Sequence, residues 1–290
     1  MSNSLVGQRI GFVGLGNMGA PMARHLHAAG AKMFVWNRSP APGLAAKSLG
    51  MTVVPTLPEL ALAIGPGVIC LNLTTTEVVE ATVFGAGGLH EGIDPAAMII
   101  DFGTTGVPAT KRFAERVTWV DAPVSGGQVG AESATLSIMV GGSETAVQRA
   151  KSILGTVGRR VTHVGQVGAG QVTKLANQLI VAQTIDAVAL ALRLAELSGV
   201  DPSMAREAML GGFADSRILD LHGDRMVRRD FVAGGRAEWQ LKDVRLIAEQ
   251  AEAVGLHSPT IDNSLSRWEE LVVNRAKGHL DHSGLFTLYE

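Results

Sequence analysis

Short apolar runs alternate with segments of helical spacing through the first half of the chain. The pattern predicts strands at Arg9–Val13, Lys32–Asn37, Thr52–Val54, Gly67–Leu73, Met98–Asp101 and Thr118–Pro123. Between them it predicts helices at Gly19–Ala29, Ala41–Gly50, Glu59–Ala63 and Pro108–Arg116. Strands that alternate with helices form βαβ units, because parallel neighbours need a crossover connection. Leu136–Val140 and Val161–Val164 extend the sheet across a helix at Thr145–Leu154. With right-handed crossovers the result is a doubly wound α/β sheet of the Rossmann type. After Gly165 the pattern changes. Apolar residues from Gln171 to Leu197 recur at helical spacing without Gly or Pro, a helix of about 27 residues and roughly 40 Å. Gly199 reads as its C-cap, and Asp201-Pro202 as the N-cap and first turn of the next helix. Gln240–Val254 and Asn263–Lys277 read as further helices, and no strand signal follows Val164. The chain is therefore expected to hold a dinucleotide-binding α/β domain over 1–164 and an all-helical domain over 165–290, joined by the long helix.

Composition narrows the function. The 290 residues carry 25 Lys+Arg against 27 Asp+Glu, which lacks the basic surplus of a nucleic-acid binder. The single cysteine, Cys70, cannot form an internal disulfide and lies in an apolar run, which fits a reducing compartment. Met1–Arg9 has no apolar signal core, and the longest membrane candidate, Leu179–Leu192, is interrupted by Gln183 and Asp186. The expectation is a cytoplasmic protein with neither membrane nor nucleic-acid partners.

Three motifs carry chemistry. Gly14-Leu15-Gly16-Asn17-Met18-Gly19 follows a strand and opens a helix, the context that the dinucleotide fingerprint requires. There the glycines make a tight turn, admit a pyrophosphate to the backbone and let helix pack on strand. Eighteen residues past Gly19 stand Asn37 and Arg38, where an enzyme selective for NADH carries an acid against the ribose hydroxyl. A neutral and a cationic residue suit a 2′-phosphate, so NADPH is favoured and NADH remains possible. Arg38 stacking on adenine irrespective of phosphate is the plainer alternative. Ser125-Gly126-Gly127 lies just past a strand end, and its consecutive amides and hydroxyl form either a carboxylate cradle or an ordinary glycine turn. Lys174 lies one turn inside the long helix, with Asn177 and Gln178 on the same face. It has apolar Val172, Leu175 and Ala176 around it and no acid one turn away. Burial of that kind lowers a lysine's pKa towards the range of a proton donor and acceptor; a lysine reaching out to solvent is the alternative.

Taken in order, these motifs resemble the β-hydroxyacid dehydrogenase family, which includes 3-hydroxyisobutyrate dehydrogenases, tartronate semialdehyde reductases and the glyoxylate/succinic semialdehyde reductases. The resemblance runs nearly end to end. It rests on Gly14–Ala23, Asp121–Gly127 with Thr135-Leu136 and Met139–Gly142, Gly168–Asn177, Leu241-Lys242-Asp243, and Asp281–Leu285. By this resemblance Lys174 is the catalytic lysine and Asn177 orients substrate. Ser125, Gly126 and Gly127 grip the substrate carboxylate. Leu73, Thr74 and Thr104 contact cofactor at strand ends, and Lys242 lies near the nicotinamide. The resemblance implies hydride transfer between a nicotinamide cofactor and a small β-hydroxyacid or its semialdehyde, in a site between the two domains. It also implies a homodimer or homotetramer packed through the long helix.

Departures and rivals sharpen that expectation. Ala134 stands where the family usually has glycine, and Gln178 replaces the second Asn of a common pair, as in the tartronate semialdehyde branch. Asp101-Phe102-Gly103-Thr104, Arg236 and Trp239-Gln240 also depart from the usual pattern. Imine reductases share the fold and glycine fingerprint but lack the Ser-Gly-Gly loop and usually the lysine. A non-catalytic cofactor-binding interaction module would be marked by loss of Lys174 or Asn177, and both are present. His279 and His282 flank Asp281 as a weak metal pair, more simply read as a tail helix end. Arg225, Arg228, Arg229 and Asp230 read as a solvated helix end or a basic rim that steers anions.

Overall fold

The computed structural model describes residues 5–290; the part of the N-terminal reading that falls on Met1–Ser4 lies outside them. Strands and helices alternate through the first half. In chain order they are β1 (Arg9–Val13), α1 (Gly19–Ala28), β2 (Lys32–Trp36), α2 (Pro40–Ser48), β3 (Thr52–Val53), α3 (Leu57–Ile64), β4 (Val68–Leu71) and α4 (Thr76–Phe84). They continue as β5 (Met98–Asp101), α5 (Val107–Ala114), β6 (Thr118–Asp121), β7 (Val124–Ser125), α6 (Gly127–Glu132), β8 (Leu136–Gly141), α7 (Glu144–Val157) and β9 (Gly158–Gly165). The sheet order is β3-β2-β1-β4-β5-β6-β8-β7, with β9 on β8. The first six strands in this order are parallel, as the alternation implies. The reversal at β1/β4 places the carboxyl ends of those strands around one crevice, the usual ligand position in such sheets. β8 corrects the expectation of a simply continued parallel sheet: it runs antiparallel to β6 and β7, and only β9 is parallel to it.

Both faces of the central strands β1, β4, β5 and β6 are buried, which explains why they read as continuous apolar runs, while β3 and β9 are largely exposed. Alternate residues serve two cores. Phe12, Cys70, Ile100 and Val120 pack on one side with Met22 and Leu26 of α1 and Leu154 of α7. Val13, Ile69, Leu71, Ile99 and Trp119 pack on the other with Leu60 and Ile64 of α3 and Phe113 of α5. The two elements on either side of Gly126, β7 and α6, and the helix α4 carry no periodic signal strong enough to predict.

The second half is helical: α8 (Ala169–Leu197), α9 (Pro202–Met209), α10 (Arg217–Arg228), α11 (Ala237–Ala253) and α12 (Pro259–Glu269). Gly199 takes φ 80° after α8, and the Asp201 carboxylate accepts from the amides of Ser203 and Met204 to start α9. The helix expected to reach Lys277 ends at Glu269 and passes into a wider π turn over Glu270–Asn274. Among the described residues, strand pairing in this half is limited to one bridge, Arg236 to Asp281. The core gathers Ile185, Ala189 and Leu192 of α8, Leu219 and Met226 of α10, Leu241 and Val244 of α11, and Trp268 and Phe286.

The chain divides into two compact units, Met1–Lys174 and Leu175–Glu290. The division falls ten residues beyond the 164/165 boundary read from the pattern, because the first turn of α8 is bonded to the end of β6. α8 is long and apolar enough, by length and composition, to cross a membrane. Much of its apolar surface is exposed, including Ile180, Leu190, Leu194 and Leu197.

Candidate active site

The glycine loop sits at the C-terminal edge of β1. Gly14 has φ 94°, and a Cβ there would lie 2.3 Å from Asn72 O; at Gly19 it would lie 1.9 Å from Gly14 O. Neither position tolerates a side chain, so the loop folds tightly back on β4 and on itself. At Gly16 a Cβ would meet nothing within 4 Å, so the loop is open on the side that a pyrophosphate would approach. Met18 gives α1 no side-chain cap, and its first turn holds no acid. Its leading N–H groups and positive dipole end therefore suit an anion. The residues present fit a dinucleotide.

Asn37 is tied to the glycine loop. Its Oδ1 accepts from Leu15 N at 2.8 Å and its Nδ2 donates to Ser39 O at 2.9 Å, so it braces the glycine loop from the end of β2. Arg38 beside it is exposed, as are Asn17 and Thr74, while Leu73 and Thr104 are half-buried. A Cβ on Gly103 would lie 2.8 Å from Leu73 O, so the loops after β4 and β5 that carry Leu73 and Thr104 run side by side.

Three buried polar side chains hold these loops, and the sequence reading gave none of them a role. Asp101 accepts from Gly103 N at 2.9 Å and from the Thr105 hydroxyl at 2.7 Å. Gln171 accepts from Thr105 N and donates to Gly103 O, both at 3.0 Å. Asp121, at the end of β6, accepts from Gly168 N at 2.8 Å and Gln171 N at 2.9 Å. It caps the start of α8 from another element. Burial pushes its carboxyl above the usual range against these amide bonds. The available signal was an aspartate closing each of two adjacent strands.

Past β7, Gly126 and Gly127 take φ 135° and 62°, which turns the chain from Ser125 directly into α6. Ser125 is half-buried and the two glycines are exposed. Lys174 is buried, with 8% of its surface exposed. Its burial does not come from all the expected neighbours: Leu175 is buried, but Val172 is 43% exposed and Ala176 faces outward. Residues two apart on a helix lie on opposite sides. Nor is the ammonium left without an interaction partner.

In the second unit Asn177 Nδ2 donates to Gln178 Oε1 at 2.9 Å. Gln178 Nε2 donates to Asp243 Oδ2 at 2.6 Å and to Gln240 Oε1 at 3.3 Å. Lys242 Nζ lies 2.8 Å from the other Asp243 oxygen. Asn177 and Lys242, assigned separately from the sequence, thus lie half-buried at the two ends of one polar chain whose middle, Gln178, Gln240 and Asp243, is buried. A second cluster centres on buried Asp281. Its carboxylate takes Gly234 N, Gly235 N and the amide and hydroxyl of Ser283, with His222 Nδ1 at 3.2 Å and Arg225 at 3.6 Å. Burial alone would raise this carboxyl, but the bonds from His222 and Ser283 hold it well below the usual range. His282 is pushed down to about 4, mainly by burial and then by His222. Arg228 closes α10, Arg229 is its left-handed C-cap, and Arg225 is drawn to Asp281.

Residues 9–165 match the family described as the NAD binding domain of 6-phosphogluconate dehydrogenase. Residues 168–289 match the NAD-binding domain of NADP-dependent 3-hydroxyisobutyrate dehydrogenase. The chain is 38% identical over 287 residues to the 2-hydroxy-3-oxopropionate reductase of Escherichia coli (strain K12), covering 97% of each protein. It superposes on a 3-hydroxyisobutyrate dehydrogenase of Mycobacterium tuberculosis, solved with L-serine, with a TM-score of 0.87 at 28% identity, covering 97% of this chain and 98% of that one. An imine reductase from Pseudomonas sp. matches with a TM-score of 0.62 at 20% identity over 98% and 99% of the two chains, which is a likeness of fold alone.

Proposed function

The chain belongs to the β-hydroxyacid dehydrogenase family, and from that premise we propose that it interconverts a small β-hydroxyacid and its semialdehyde, with NADPH as the favoured cofactor. The observation that carries the reading is Lys174, buried in the first turns of a helix whose start is fixed by Asp121, three residues before Asn177 on the same face.

Gly14–Gly19 would hold the pyrophosphate, braced by Asn37. Arg38 would meet the 2′-phosphate, and Leu73, Thr74, Thr104 and Lys242 would contact the rest of the cofactor. When bound, the nicotinamide supplies the hydride that reaches the carbonyl carbon. Ser125, with the amides of Gly126 and Gly127, takes the substrate carboxylate and orients the carbonyl. Lys174 gives its proton to the carbonyl oxygen, and in the opposite direction removes it from the hydroxyl. A positioned proton donor of this kind contributes ~10²–10⁴ in rate. Asn177 orients the same substrate. The close relation to a 2-hydroxy-3-oxopropionate reductase favours short, hydroxylated substrates.

Ile180, Leu190, Leu194 and Leu197 lie along one side of α8 and are exposed. An apolar stripe of this kind supports a homodimer or homotetramer that covers it; a monomer in sedimentation equilibrium at working concentration would remove that part.

The direct test follows cofactor absorbance with NADPH and then NADH against short semialdehydes, glyoxylate and cyclic imines. Oxidation of NADPH by a carboxylated aldehyde is the expected result. Reduction of imines alone would leave Ser125–Gly127 without a task and overturn the reading.

A further inference from the structure

The polar chain in the second unit has a direction. An ionised carboxylate only accepts hydrogen bonds, and Asp243 is ion-paired with Lys242. The group that Gln178 turns towards Asp243 must therefore be its NH₂, as found at 2.6 Å. That leaves Oε1 of Gln178 facing Asn177, where it can receive only a donor, so Asn177 must point Nδ2 at it. Gln240, fully buried, reinforces the same orientation by accepting from Gln178 Nε2. Each amide would otherwise be free to flip. Starting from the charge on Asp243, neither is.

We propose that Asp243, Gln178 and Gln240 are positioning residues that lock the Asn177 carboxamide with its oxygen presented to substrate, so that the enzyme selects substrates bearing a hydroxyl beside the reacting carbonyl. This rests on the reading that Asn177 contacts substrate. Asn177 is half-buried; with substrate bound over it, its oxygen finds a partner in a substrate hydroxyl and is left unpaired by an analogue that lacks one. Buried acceptors of this kind discriminate more strongly than apolar pockets do.

The experiment compares kcat/KM for 2-hydroxy-3-oxopropionate and for 3-oxopropionate, which lacks the hydroxyl, with NADPH. The wild type is expected to prefer the hydroxylated substrate by ~10-fold or more. Gln178→Leu cuts the relay, and the preference should fall to within ~3-fold, through loss on the hydroxylated substrate alone. The double variant Gln178→Glu/Asp243→Asn moves the carboxylate by one link. The carboxamide placed at position 243 donates to the carboxylate placed at position 178, Gln240 turns over to donate its NH₂ to the same carboxylate, and that carboxylate still accepts from Asn177, so the preference should return. A merely structural role would not produce that rescue. An unchanged preference in Gln178→Leu, or no rescue in the double variant, would overturn the relay. If Gln178→Leu does not fold, the double variant decides alone. A wild type that turns over both substrates equally overturns the relay and leaves the dehydrogenase reading standing. A wild type that reduces neither overturns the selectivity, and the wider panel of semialdehydes and glyoxylate then decides the dehydrogenase reading by itself.

Discussion

The two units each bury an aspartate at a junction of elements, and they hold it in opposite ways. Asp121, in the first, is held by backbone amides at the start of α8, and burial raises its carboxyl. Asp281, in the second, has His222, Arg225 and Ser283 around it, and its carboxyl is lowered. The difference extends to the candidate site. In the first unit the surface that would meet the pyrophosphate is backbone, shaped by glycines and braced by Asn37, with Asp101 and Gln171 holding the neighbouring loop. In the second, the candidate substrate contact is a side chain oriented by other side chains. A backbone-built surface depends on its braces for shape, whereas a side-chain relay depends on them for polarity.

The largest effect expected from breaking the comparison is at Asp121. Asparagine there keeps one acceptor and turns an NH₂ towards the amide of Gly168 or Gln171. An orphaned buried donor and a lost helix cap together cost about 3 kcal/mol. Thermal unfolding should show this loss, and because α8 carries Lys174, turnover should fall with it. Unchanged stability would mean that the start of α8 is held by other contacts.

The second unit should respond to acid. His282 titrates near 4 in the fold and near 6.5 when unfolded, so the unfolded chain binds more protons between those values. Stability therefore declines as pH falls through that window, by about 3 kcal/mol between pH 7 and 4. The lowered carboxyl of Asp281 adds a further loss below it. The raised carboxyl of Asp121 has the opposite sign: its proton uptake favours the fold as pH falls. Denaturant unfolding between pH 7 and 4 checks this. His282→Asn should flatten the slope for the second unit, and an unaltered slope would remove His282 as its source.

The smallest effect is at Ala134, which adopts φ 52° just after α6. A left-handed alanine costs ~1 kcal/mol that glycine does not. Ala134→Gly should raise the melting temperature by ~2–4 °C; a fall would mean that the alanine methyl packs usefully.

How much was legible follows the same division. The glycine fingerprint, the alternation of strands and helices up to β6, the long helix and the places of Lys174 and Asn177 on it could be read, because each is written in local spacing. The turn through Ala134 was visible only as a departure from glycine, and its left-handed backbone explains why glycine is usual there. The antiparallel β8 was not legible, since a buried strand has the same apolar run in either direction. The braces were missed because their partners are distant: Gln171 reaches Thr105 across 66 residues, and Gln178 reaches Asp243 across 65. Val172 and Ala176 were misjudged as cover for Lys174 because adjacency in sequence was read as adjacency on a helix face.

The most direct test of the central claim compares wild type with Lys174→Ala in single-turnover reduction of a carboxylated semialdehyde by NADPH, alongside a fluorescence titration of the cofactor. The account predicts that cofactor affinity stays within ~2-fold while the hydride-transfer rate falls by ~10²–10⁴, as loss of a positioned proton donor requires. An unchanged rate at saturating substrate, with cofactor bound, would contradict it.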